Sequence, residues 1–99
     1  MDIIEEVSKE ALEFWGYEPQ STMAIEEMSE LIQALCKYKR YGYEAASQEI
    51  KDNVLEEIAD VHNMIEQLEI YFGQEEITKI RIDKLNRTKA RIEKLREEK

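Results

Sequence analysis

The chain has 99 residues, 42% apolar and 37% charged, with a formal net charge of −9. That length fits one domain with a small core, and chains of this size often gain stability by oligomerising. Three Gly, one Pro, one Cys and the lack of any apolar run of roughly 18–20 residues exclude an internal disulfide or a membrane span, and favour helices.

Four helical segments follow in chain order. The first covers about residues 2–14, where Ile3, Ile4, Val7, Ala11, Leu12 and Phe14 recur at helical spacing. Its opening, MDIIEEVSKE, is acidic and unlike a secretory signal, which points to a cytoplasmic chain. Gly16 suits a helix end and Pro19 a first helical turn. The second segment, about 20–40, carries Ala24, Met28, Leu31, Leu35 and Tyr38. Lys37, Lys39 and Arg40 complement its dipole at the C-terminal end. Cys36, near Ile32 and Leu35, reads as a buried or half-buried structural thiol. Residues 41–52 form a connector with room for one short helical turn. The third segment, about 53–72, alternates by four and three through Val54, Ile58, Val61, Ile65, Leu68 and Phe72. Asn53 with Glu56 resembles a capping box, and Gly73 ends the run. The fourth, about 75–97, carries Ile77, Ile80 or Ile82, Leu85, Ile92 and Leu95 under a face dense in Lys and Arg. The expectation is an all-α, four-helix bundle-like fold in one domain, residues 1–99.

Charge divides along the same line. Residues 1–74 hold five Lys/Arg and 17 Asp/Glu, whereas residues 75–99 hold nine and six. The acidic part repels nucleic acid unless a cation intervenes, so neither a nucleic-acid nor a membrane partner is expected. The basic end suits phosphate, or pairing with the acidic part.

Glu27 and Glu30 share one face of the second helix at i, i+3, and Glu57 and Asp60 do the same on the third. Each pair lies beside an apolar seam. If the seams pack together, four carboxylates face one cleft. Unpaired, such a cluster raises at least one pKa; a hard divalent cation with oxygen ligands relieves it. Ordinary solvent-facing glutamates are the plain alternative. A di-iron site fails because His62, a surface or half-buried residue, is the single histidine and residue 59 is Ala. One Cys and one His exclude a zinc site, and isolated glycines exclude a phosphate loop.

EEMSE (26–30) and, 26 residues later, EIAD (57–60) resemble the EExxE…ExxD signature of the all-α NTP pyrophosphohydrolases, most of all the MazG-like proteins. WGYEPQSTMAIEEMSELIQALCKYKR, NVLEEIADVHNMIEQL and KLNRTKARI are similar to the flanking family text, over about residues 10–92. The resemblance implies hydrolysis of a nucleoside triphosphate to monophosphate and pyrophosphate with Mg²⁺, or Mn²⁺, by water attack on the α-phosphate. It implies Glu27, Glu30, Glu57 and Asp60 as metal ligands. Glu26 matches the first acid of the signature, either behind the ligands or orienting water; Glu26, Glu27 and Glu30 are the candidates for catalysis. Lys84, Arg87 and Arg91 reach the triphosphate or pair with acidic segments. Gln20 and Trp15 match positions near the nucleotide, Trp15 stacking on a base or packing in the core, and Asn63 is placed to touch sugar or base. A homodimer or homotetramer is implied. The contrasting expectation is a non-catalytic helical interaction or assembly module with a decayed metal site.

Overall fold

The computed structural model describes residues 2–98; Met1 and Lys99, the ends of the expected domain, lie outside them. The described residues form α1 (Ile3–Trp15), α2 (Tyr17–Arg40), a 3₁₀ turn (Tyr43–Ala45), α3 (Gln48–Phe72) and α4 (Gln74–Glu97), with no strand among them. No helix is long and apolar enough to cross a membrane among the described residues.

Gly16 alone separates α1 from α2. Its φ of 89° lies where side chains are disfavoured, so glycine makes the sharp break. α2 starts at Tyr17, three residues ahead of expectation. Pro19 falls in its first turn, where the missing N–H had no helical partner to lose. α3 starts at Gln48, five residues ahead of expectation. Ser47 is the cap: its Oγ accepts from the Ile50 N–H at 3.3 Å. Asn53 therefore lies inside the helix. The connector shrinks to residues 41–47 and is braced through Glu44. The Tyr38 hydroxyl donates to Glu44 Oε1 at 2.9 Å, and Lys51 Nζ donates to the Glu44 carbonyl at 3.0 Å.

α2 and α3 form an antiparallel hairpin, the main packing unit, and α1 lies chiefly on α3. The inward line of α2 is Gln20, Ala24, Glu27, Leu31, Ala34 and Tyr38. On α3 it is Ile50, Val54, Glu57, Val61, Met64 and Leu68. Both lines step by four and three, and every member is buried or half-buried. Buried Ala24 and Ala34 offer little bulk to hold the two helices apart. Each line carries one carboxylate at a core position.

This rotation corrects several expectations. Leu35, Ile58, Ile65 and Phe72 are exposed, because a broad apolar face on α2 or α3 meets a neighbour on one side only. Cys36, two positions round from buried Ala34, is exposed rather than structural. On α1 the buried residue is Ser8, while Ile3 and Phe14 are 74% and 77% exposed. α4 touches α3 alone, and its residues beyond Ile77 are exposed. Three helices pack and the fourth stands off. The radius of gyration is accordingly 17.3 Å, against about 13 Å for a compact chain of this length.

One buried polar contact ties the hairpin near Gly16: Gln20 Nε2 donates to Gln67 Oε1 at 2.9 Å. Gln67→Leu leaves the Gln20 amide unpaired and is expected to cost about 1–3 kcal/mol in urea unfolding. Adding Gln20→Leu should recover part of that loss; a strictly additive double variant would contradict the pairing.

Candidate metal centre

Glu27 on α2 and Glu57 on α3 face each other across the seam, and Asp60 follows one turn after Glu57. Carboxylate oxygens from the three lie within 4.8 Å of one another. Glu27 and Glu57 are half-buried and Asp60 is exposed. Glu27 Oε2 and Glu57 Oε2 are fully shielded and have no hydrogen-bond partner among the described residues. A shielded acceptor without a donor is costly, and the seam holds two of them close together.

The electrostatics agree. Burial is the main cause holding the Glu27 carboxyl above the usual carboxylate range, and Glu30, Asp60 and Glu57 push it the same way. Glu57 is likewise raised, by burial first and then by Glu30, Asp60 and Glu56. Glu30 stands within hydrogen-bonding reach of both but is exposed. Every charge shifting the two acids is negative, and no Lys or Arg pairs with either among the described residues.

An all-oxygen donor set suits Mg²⁺ or Mn²⁺ rather than a soft metal. Opposed ligands on one magnesium ion are about 4.2 Å apart. The three carboxylates, within 4.8 Å of one another, are placed near a common point. Two shielded, unpartnered oxygens make this more than a surface run of acids, and the residues present fit the ion.

The other sequence candidates fall elsewhere. Glu26 precedes Glu27 on an exposed part of α2 and is outside the close group of acids. Gln20 is buried two turns away with its amide bound to Gln67. Trp15 sits at the α1–α2 break, 59% exposed and edge-on to Phe14 at 5.1 Å. Asn63 is exposed and lines a recess with Ser8 and Gln67 under α1. Lys84, Arg87 and Arg91 are exposed on α4, which has no contact with α2. Sequence reasoning passed over Lys37 and Asn53, assigning both to helix ends. They share a recess of about 240 Å³ with Glu30 and Glu57. The signal was present: Lys37 lies seven residues after Glu30, and Asn53 four before Glu57.

Compared with protein-family models, with curated proteins and with solved structures, the chain finds no match in any of the three.

Folding raises both glutamate pKa values from an ordinary 4.5. Above that pH the folded chain therefore holds these protons more tightly than the unfolded chain does. Their effect favours the folded state on the acid side and is lost as pH climbs through the raised values. The Tm of the metal-free protein should include a component that falls as pH rises above about 4.5, absent from Glu27→Gln/Glu57→Gln. Identical melting profiles for the two proteins would contradict the electrostatic account.

Proposed function

We propose that the chain is a Mg²⁺-dependent nucleoside triphosphate pyrophosphohydrolase of the MazG-like type, with Mn²⁺ as a substitute. The observation that carries this reading is the pair of shielded, unpartnered oxygens on Glu27 and Glu57, with Asp60 beside them and Glu30 in reach. The spacing EEMSE…EIAD supplies the reaction class by resemblance.

Glu27, Glu57 and Asp60 would hold the ion, with Glu30 within reach from the exposed side. The chemistry a divalent ion would supply there is neutralisation of phosphate charge and a lower pKa for the attacking water. The water oxygen bonds to the α-phosphorus, the α–β bridging bond breaks, and the bridging oxygen leaves with pyrophosphate. A carboxylate of the cluster would take the water's proton.

Self-association as a homodimer or homotetramer belongs to the same reading. Among the described residues the buried apolar ones are Ala24, Ala34, Ala46 and Met64, whereas Ile3, Ile4, Val7, Ile80, Leu85 and Ile92 are among many exposed ones. Covering those faces with further copies supplies the core that one chain lacks. The contrasting reading, an interaction module with a decayed metal site, shares the apolar faces but gives two carboxylates in the helix seam no role.

Pyrophosphate release from a nucleotide panel, strictly dependent on Mg²⁺ or Mn²⁺, is the expected result. Glu57→Ala should reduce it beyond the 10–100-fold loss usual for residues that only support ligands, roughly 100-fold or more. Flat inactivity across the panel would overturn the enzymatic reading. Light scattering should give a mass at least twice the 11.8 kDa of one chain. A well-folded monomer at high concentration would contradict the assembly.

A further inference from the structure

A cleft opens between the C-terminal end of α2 and the N-terminal end of α3. At its inner end, Lys37 and Asn53 line the small recess that holds Glu30 and Glu57. The same two residues line a wider cavity of about 720 Å³ with Tyr41, Glu49, Asp52 and Glu56. Acids for an ion therefore lie at one end and an aromatic ring at the other, with Lys37 and Asn53 at the junction.

We propose that this cleft is the nucleotide subsite, and that it selects bases bearing an exocyclic amino group over uracil and thymine. The inference rests on the metal-centre reading above and adds a location and a substrate class to it. Lys37 is the one basic residue lining either cavity, and a point charge beside Glu30 suits a phosphate oxygen of the chain held at the ion. Tyr41 is 57% exposed on the cavity wall, with the Arg40 guanidinium 6.0 Å from the centroid of its ring, and offers an aromatic face on which a base can stack. The wall beyond it is rich in acceptors. Ionised Glu49, Asp52 and Glu56 can only accept hydrogen bonds. One oxygen of Asp52 accepts from Gln48 Nε2 at 2.8 Å, which fixes the carboxylate and leaves its second oxygen for a ligand. Adenine, cytosine and guanine offer an amino donor to such a wall. Uracil and thymine carry no amino group; their N3–H is their one donor on that edge, flanked by two carbonyl oxygens that carboxylates repel. Trp15 and Asn63 lie outside this cleft, on the α1 side of the molecule.

The test is steady-state hydrolysis by the full chain with Mg²⁺, using ATP, GTP, CTP, UTP and dTTP, beside Mn²⁺ binding by calorimetry. The amino-bearing nucleotides should be preferred in kcat/KM by about tenfold or more, the value of one hydrogen bond to a charged acceptor. Tyr41→Ala and Lys37→Ala should raise KM while Mn²⁺ affinity stays at the wild-type value. Asp52→Asn should shrink the preference between CTP and UTP. Active wild-type protein that uses UTP and CTP equally, or variants with unchanged KM and unchanged preference, would overturn the cleft and leave the metal centre standing. Failure of the wild-type chain to bind Mn²⁺ or hydrolyse any nucleotide would overturn both.

Discussion

Two carboxylates in the middle of a helical seam constrain everything around them. Glu27 and Glu57 occupy positions that, by the four–three step of their helices, belong to apolar side chains. A leucine at either place would fill the hairpin with no charge to desolvate. With glutamate there, the hairpin carries shielded oxygens that no described donor satisfies. The antiparallel pairing of α2 with α3 gathers Glu27, Glu57 and Asp60, spread over thirty-four residues of sequence, into one cluster of negative charge, with Glu30 in reach.

The remaining architecture accommodates that point. Ala24 and Ala34 sit on either side of Glu27 along α2, so the helices can approach closely where bulk would hold them apart. Ser47 and the Glu44 brace fix where α3 begins, and hence the register that sets Glu57 opposite Glu27. The seam has little apolar volume left to give. Its core is thin, and the broad faces of α1 and α4 are turned away from it. The chain keeps its central acids half-buried and many of its isoleucines exposed, so charge sits in the seam and apolar surface lies outside it.

Much of this was legible in the sequence, and the limits have physical causes. The four helices, the glycine breaks and the i, i+3 acid pairs all follow from spacing. The rotation of each helix did not. α3 offers two neighbouring stripes, one through Ile58 and Ile65 and one through Glu57 and Met64; hydrophobicity alone favours the first, whereas contact with α2 uses the second. Cys36 was misplaced by the same ambiguity. Helix starts were set too late because Pro19 and Asn53 look like boundary residues, while Gly16 and Ser47 are the ones that act as such. Lys37 and Asn53 escaped notice because each has a local explanation at a helix end, and their shared recess exists only once the hairpin is closed.

Paramagnetic broadening of backbone amide resonances by trace Mn²⁺ tests the central claim most directly. If the acids converge to hold an ion, broadening should start at the amides around Glu27, Glu30, Glu57 and Asp60, while the far end of α4 and the Trp15 indole stay sharp. Broadening spread evenly over every acidic stretch, or none at metal concentrations that should saturate a built site, would mean that the seam holds no ion.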